Sequence, residues 1–432
     1  MGTSIDLTIS GISLDWSKNS MGIDHGFLFQ EVDRTRHRSD QINYEYYSEH
    51  PELDLCDSEA AFVRPLARVL PRLDLLGYTL DAARAEYDEL MRQFVEMGED
   101  EGDDGQASPP LMAFDEFCAF ACRYPLAGLD ETYIEYEIEN RDALSKGRFA
   151  ADQKDIARIP VTEPSGMYWS ERSYFGAVVC ILSPYSMLQV FGRSLSNADA
   201  ELMWQYGPIV DAGWVDIEDF KTSARRSQTI LVATEGTTDA RILRHAIDLL
   251  CPEVADFFRF IDVDERHPFW GTGNLVKFAE GLVRIDVQNQ VVFLLDNDAE
   301  GRDAYRRLQA ISLPANMRAM VLPDLEALRK FPARGPEGVS QSDINGRAAA
   351  IECYLDLDLP GYPPAQVTWS NYKQDVDAWH GALDHKETYM RRFLGQTRDT
   401  IERNEYDTSK LKAVVEALIA EATVLSSGKP CT

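Results

Sequence analysis

The sequence predicts an α/β chain: a parallel sheet flanked by helices over residues 226–360, preceded by a mostly helical α+β domain over 1–225 and followed by a helical extension over 361–432. Three observations carry this. Residues 291–295 are an unbroken apolar run ending in Asp296, Asn297 and Asp298, the pattern of a strand buried on both faces of a parallel sheet. Residues 229–233 (TILVA) form a second such run, passing through Glu235 and Gly236 to Asp239 and a helix over 240–250. Elsewhere apolar residues recur at three- and four-residue steps, over 58–97 and in the tail beyond 369.

At 432 residues the chain is expected to hold two or three domains, and its 44% apolar content supports large cores. No apolar run reaches the ~18 residues of a membrane span. The opening MGTSIDLTIS lacks the basic start and long apolar stretch of a signal peptide, and Asp6 stands where a myristoylation pattern needs Ser or Thr. Seven scattered cysteines without a CxxC pair read as reduced thiols, with Cys118 and Cys122 on one helix face as core thiols. A cytoplasmic location is expected. The net charge of −29 argues against a protein that wraps nucleic acid broadly. Either a local basic patch or a basic partner supplies the phosphate contacts, or the protein does not act on nucleic acid.

Taken in order, residues 4–16 alternate around Gly11 as a hairpin, with Trp16 expected in the core and Lys18 and Asn19 in a turn. The run RTRHR (34–38) is the most basic short stretch, read as a solvated loop or a phosphate contact. Helices are expected through Phe62, Leu66, Val69, Leu73 and Leu76, ended or kinked by Pro65 and Pro71. Residues 96–105 read as an acidic surface loop without the ligand spacing of a calcium site. Further helices are expected over 114–123, 179–191 and 197–206, the last capped by Ser196 or Asn197. A domain boundary falls near 225. Strands follow over 257–263 and 319–322, with a glycine-rich turn at 270–274, a helix over 275–282 and a Gly/Pro-rich loop over 333–346.

The chemistry concentrates at the two strand ends. In open α/β sheets ligands bind at the carboxyl ends of strands. Asp296 and Asp298, two apart on an extended backbone, share a face and repel unless a cation sits between them. Oxygen donors of this kind suit Mg²⁺ or Mn²⁺. The plainer reading is a pair of exposed loop-capping acids. Asp239, one helical turn in, reads as a helix-terminal charge or a neighbour of the site.

EGTTD (235–239) followed by LLDNDAEGRDA (294–304) resembles the Toprim domain of topoisomerases, bacterial primases, recombination-mediator proteins and overcoming-lysogenization-defect nucleases. That resemblance implies a Toprim-type sheet and a Mg²⁺ site for phosphodiester chemistry built from Glu235, Asp296 and Asp298, with Glu300 or Glu352 completing it. Glu352 lies in RAAAIECYLDLDL (347–359), similar to a stretch whose glutamate joins the metal site in those nucleases; a helix-surface glutamate is the alternative. Those nucleases also draw a lysine from a C-terminal segment, which points to Lys386 or Lys373 here, against ordinary surface lysines. LDWSKN (14–19) with GIDHGFLFQ (22–30) resembles the opening of an N-terminal domain associated with HEPN or Toprim effectors. No HEPN-type Arg/His spacing, Walker A loop or GxGxxG is present. Nothing matches a topoisomerase tyrosine context or a primase zinc module.

These resemblances imply a metal-dependent nuclease cutting DNA or structured RNA such as tRNA, an effector of prokaryotic defence against phage or plasmids. Substrate would enter a basic surface formed by Arg302, Arg306, Arg307 and residues 34–38. Residues 1–225 would sense a trigger or dock a partner protein, with any ATPase supplied in trans. A homo-oligomer stays open, and the alternative is a non-catalytic metal-binding module acting through a partner.

Overall fold

A computed structural model describes residues 2–100, 109–160, 168–261, 271–373 and 378–427, the side chains of 98–100, 373 and 378 excepted. It divides into two compact units, Met1–Ala224 and Arg225–Pro430. Among the described residues no single helix is long and apolar enough to cross a membrane.

The first unit is built on a five-stranded antiparallel sheet in the order β2-β1-β5-β4-β3. Its strands are β1 Ser4–Ile9, β2 Ile12–Lys18, β3 Arg34–Arg36, β4 Ala60–Pro65 and β5 Glu201–Gln205. Between β3 and β4 lies α1 Tyr44–Glu49; α2 Leu66–Leu75, α3 Leu80–Asp100, α4 Phe114–Ala121, α5 Arg141–Lys146, α6 Gln153–Ile156, α7 Glu171–Val179 and α8 Pro184–Phe191 follow, and α9 Gly207–Asp211 comes after β5. Alternation on β1 turns Ile5, Leu7 and Ile9 into a core shared with Phe62, Trp204, Phe175 and Met187. Buried polar groups then pin the segment after β2. His25 stands 2.9 Å from both the Asp15 carboxylate and the Tyr185 hydroxyl. Arg64 pairs with Asp33 at 2.8 Å, and Arg72 donates to the Phe27 carbonyl at 2.9 Å. Asp15 and His25, from the two signature stretches, thus serve to fasten β2 and the following segment to α8.

The second unit carries a four-stranded parallel sheet in the order β10-β8-β6-β7. Its elements run β6 Ile230–Thr234, α10 Thr237–Leu250, β7 Phe258–Phe260, α11 Thr272–Arg284, β8 Gln290–Leu295, β9 Asn297–Asp298, α12 Ala299–Ala310 and β10 Met317–Val321. All six residues of β8 are buried, as a central strand covered on both faces requires. Leu275, Val276 and Ala279 of α11 and Ala304 and Leu308 of α12 cover one face. A second sheet follows, β12-β11-β14-β15, from β11 Phe331–Gly335, β12 Gly338–Ser342, the short β13 Ala348–Ala349 outside it, β14 Val367–Lys373 and β15 Ala378–Leu383. The described chain closes with α13 Lys386–Leu394, α14 Arg398–Glu402 and α15 Ser409–Ser427; α10 packs against α13 and α15.

Several expectations change here. Trp16 is 64% exposed rather than in the core. The β1–β2 register shifts between Leu7 and Thr8, so Leu7 faces Asp15 and Trp16 faces Asp6 on the outer side. An extra residue in a hairpin inverts the alternation beyond it. Residues 60–65 form a strand between β5 and β3 instead of a helix, because two neighbours satisfy its backbone. The helix expected over 179–191 breaks at 180–183 and restarts with Pro184 at its first turn. Residues 197–206 hold β5, and Asn197 caps nothing: buried, it accepts from the Leu126 amide and donates to the Phe191 carbonyl. The acidic run from 96 begins as the end of α3, and 101–105 lie outside the described residues. The Gly/Pro-rich 333–346 segment contains the β11–β12 hairpin, and Trp379 and Leu383, read as helical, lie on β15. Residues 262–270, with Asp262, Asp264, Glu265, His267 and Trp270, also lie outside the described residues.

Candidate active site

β6 and β8 are adjacent, and the chain leaves them in opposite directions across the sheet: β6 is followed by β7 on one side, while β8 sits on the other and is followed by β10 beyond it. The crevice between two such strand ends is where α/β sheets place ligands. Glu235 follows β6 directly, and Asp296 follows β8. The Asp296 amide donates to the Glu235 carboxylate at 3.1 Å, tying the two ends together.

Backbone amides also fix Asp239, Asp298 and Asp296. Asp239 accepts from the Gly236 amide at 3.0 Å at the start of α10, and Thr234 donates to the Gly236 carbonyl at 2.9 Å. Asp298 is the N-cap of α12, its Oδ1 accepting from Gly301 at 2.7 Å. Gly301 is demanded by space: a Cβ there would collide with the Asp296 carbonyl oxygen. Asp296 Oδ1 accepts from the Ile351 amide at 2.9 Å, which draws in the 3-10 turn Ile351–Tyr354. That turn carries Glu352, only 5% exposed and so no helix-surface residue. Asn297, the middle of the acidic triplet, is fully buried and binds Asp324 (2.8 Å), Arg302 (2.9 Å) and the Gly346 amide (2.9 Å). β9 pairs with β13 here, placing Asp298 opposite Ala348.

The electrostatics follow from crowding. Burial first, then the Asp298 and Asp239 charges, push the Glu235 carboxyl up to about 8 against the pull of the Asp296 amide. Burial and Glu352 raise Asp239 to about 7, offset in part by Lys386. Asp296 is driven well above the carboxylate range by burial and by Asp239, Glu235, Asp298 and Glu352. Asp298 rises through burial, restrained by the Gly301 amide and by His380. Glu300, second in α12, adds its charge against both Glu235 and Asp298. Five carboxylates and a sixth nearby therefore compete for too little positive charge. Such a cluster holds protons, a cation, or both.

The sequence-derived set Glu235, Asp296, Asp298, Glu300 and Glu352 thus lies in one electrostatic neighbourhood, and Lys386, an exposed residue at the first position of α13, is near enough to act on Asp239. The side chain of Lys373 lies outside the described residues. Arg302 and Arg307 are already engaged, Arg302 with Asp324 at 2.5 Å and Arg307 with Asp303 at 3.2 Å. Arg34, in the other unit, pairs with Glu31 at 2.5 Å and covers the Phe62 ring. Among the described residues no three His, Cys, Asp or Glu side chains stand together as a ready metal cage; four of the acids, Glu235, Asp239, Asp296 and Asp298, point an oxygen at a backbone amide instead. By chemistry the donors nevertheless fit a hard divalent cation, being all carboxylate oxygens with unneutralised charge.

Two residues, His380 and Lys410, escape the sequence reading, which gives Asp239 as a helix-terminal charge or a neighbour of the site. Asp239 is buried within the cluster; its place four residues after Glu235, at a helix start, was the available signal. His380, on β15, points Nδ1 at Asp298 Oδ2 from 3.7 Å. Lys410 of α15 is held at the Cys353 carbonyl (2.9 Å), under the turn bearing Glu352.

No curated protein and no solved structure matches the chain. A family model described as HEPN/Toprim N-terminal domain 1 matches residues 1–228, taking in Asp15, His25, Arg64 and Arg72, which hold the first unit together. The match spans more than half of the 432 residues, and the chain belongs to the HEPN/Toprim N-terminal domain 1 family.

Proposed function

We propose that the protein is a Mg²⁺- or Mn²⁺-dependent endonuclease that cleaves phosphodiester bonds of DNA or structured RNA such as tRNA, acting as an effector of prokaryotic anti-phage or anti-plasmid defence. The observation that carries this reading is the crowding of Glu235, Asp239, Asp296, Asp298 and Glu352 near the carboxyl ends of two adjacent parallel strands, with the carboxyls of Glu235, Asp239 and Asp296 driven far above their ordinary range. Glu235, Asp296 and Asp298 would hold the ion, with Glu300 and Glu352 completing its surroundings. Bound there, a divalent cation neutralises the scissile phosphate and lowers the pKa of the attacking water. If Asp296 and Asp298 hold the ion without it, Glu235 would instead serve as general acid or base, its carboxyl being raised to about 8 in the metal-free protein. Lys386 offers an exposed positive charge that acts on Asp239, suited to holding a substrate phosphate.

Family membership supports a nuclease-related effector, since the matched domain is named for its association with HEPN and Toprim proteins. Residues 1–224 form a compact unit of their own, which suits a part that senses a trigger or docks a partner protein, with any ATPase acting in trans. The −29 net charge suits a chain that meets nucleic acid only when a partner or a further copy supplies basic surface.

A second reading, a non-catalytic module that binds a metal or protons and signals through a partner, draws on the amide-bound state of Asp239, Asp296 and Asp298. Sequencing the nucleic acid cut during expression of the intact protein, beside its Asp298→Asn variant, separates the two. Discrete new ends present only with the unaltered protein support the nuclease. Identical end maps favour the signalling module.

A further inference from the structure

We propose that His380 is a nitrogen ligand to the cation held by Asp298, giving the site a preference for transition ions over Mg²⁺. This rests on the metal-site reading above and adds to it a residue outside the acidic motifs.

The argument begins with an unsatisfied atom. His380 Nδ1 is buried and makes no hydrogen bond, one of a handful of such side-chain atoms among the described residues. A buried imidazole nitrogen without a partner forfeits on the order of 1–3 kcal/mol, so its place needs a cause. Among the described residues, Asp298 Oδ2 faces it at 3.7 Å. That is too long for a hydrogen bond. It is the right separation for two donors on one ion: ligand atoms each about 2.1 Å from a metal stand ~3 Å apart when adjacent and ~4.2 Å apart when opposite.

The surrounding geometry fixes which atoms face the gap. Asp298 Oδ1 is taken by the Gly301 amide at 2.7 Å, which leaves Oδ2 turned to His380. β15 is held against both β13 and α12, the two elements that flank Asp298, so the imidazole is carried by a paired strand rather than a free loop. At the neighbouring position, Ser370 of β14 donates to the His380 carbonyl at 3.1 Å, across the register irregularity between Trp369 and Asn371. A bulge of this kind re-aims side chains near functional sites. An all-carboxylate site favours Mg²⁺ or Mn²⁺, whereas an added imidazole moves affinity towards Mn²⁺, Co²⁺ and other transition ions.

The test loads the full-length protein with Mn²⁺ alone and records electron spin-echo envelope modulation, a readout independent of cleavage. A directly bound imidazole gives ¹⁴N modulation that changes when the protein is grown with ¹⁵N-histidine. This comparison needs no substitution, so it does not depend on a variant folding. His380→Asn should remove the modulation and weaken Mn²⁺ binding roughly tenfold, while Mg²⁺ binding changes less. Mn²⁺ bound in an Asp298-dependent way without histidine modulation overturns the ligand assignment and leaves the metal reading standing. Mn²⁺ that fails to bind, or binds equally to Asp298→Asn, overturns both.

Discussion

The crowding of carboxylates makes a prediction that runs against the usual cost of altering a buried residue. Asp296→Asn keeps the shape of the side chain and an amide oxygen to accept from Ile351, but removes the charge that Asp239, Glu235, Asp298 and Glu352 all oppose. One like-charge contact at ~6 Å in a medium of effective dielectric ~20 costs about 3 kcal/mol. Protons taken up by the cluster already relieve part of this, so the metal-free variant should gain roughly 1–3 kcal/mol at pH 8. For a unit of this size that is a rise of about 3–10 °C in Tm. The sign with pH is fixed. Carboxyls whose folded pKa lies above the unfolded value keep protons in the folded state that the unfolded chain releases. The unaltered protein therefore loses stability as pH rises from the ordinary values of 3.8 and 4.5 towards about 8, where Glu235 ionises. The advantage of Asp296→Asn should vanish below the ordinary aspartate value of 3.8 and grow as pH rises above it. Differential scanning calorimetry in chelator, across that range, measures it. A variant that melts lower at pH 8, or by a pH-independent margin, would refute the repulsion argument and make Asp296 a structural residue.

Gly301→Ala forces a Cβ against the Asp296 carbonyl and should destabilise the second unit by about 2–4 kcal/mol, seen as a lower urea midpoint. Asp33→Ala removes the carboxylate paired with buried Arg64, which keeps the Leu28 carbonyl and Gln30, and should cost the first unit about 3 kcal/mol, in a melting transition separate from that of the second. A chain beginning at Ser223, once shown to fold, should be more toxic or less discriminating than the full chain at equal expression; a folded but inactive product would mean that the first unit helps to build the substrate site. Nucleic-acid binding should weaken steeply with salt, and a flat dependence points to a protein or small-molecule ligand.

The parallel sheet was legible because a strand buried on both faces leaves an uninterrupted apolar run: all six residues of β8 and most of β6 are buried. The acids at their ends were legible for the same reason, as polar residues placed abruptly after such runs. What failed were segments whose conformation is set by distant partners. β4 and β5 carry apolar spacing compatible with a helix, and only their pairing with each other and with β1 and β3 makes them strands. Trp16 was misplaced by a single extra residue in a hairpin, which no periodicity count registers. His380 was invisible because its strand was read as part of a helical tail, and its neighbour Asp298 lies 82 positions earlier in the sequence, as their numbers show. Asp239 shows the opposite case: its position at a helix start was read correctly, yet its burial beside Glu352 depends on a turn over a hundred residues away.

The central claim is that these acids run metal-dependent phosphodiester cleavage. Its most direct test incubates purified full-length protein with DNA and with structured RNA, in Mg²⁺ or Mn²⁺ and in excess chelator, beside Glu235→Gln, Asp296→Asn and Asp298→Asn. Cleavage should require the ion and fall by at least about a thousandfold in each variant, in line with the loss of a group central to the reaction. Cleavage that persists in chelator, or in Asp296→Asn at an undiminished rate, would contradict it.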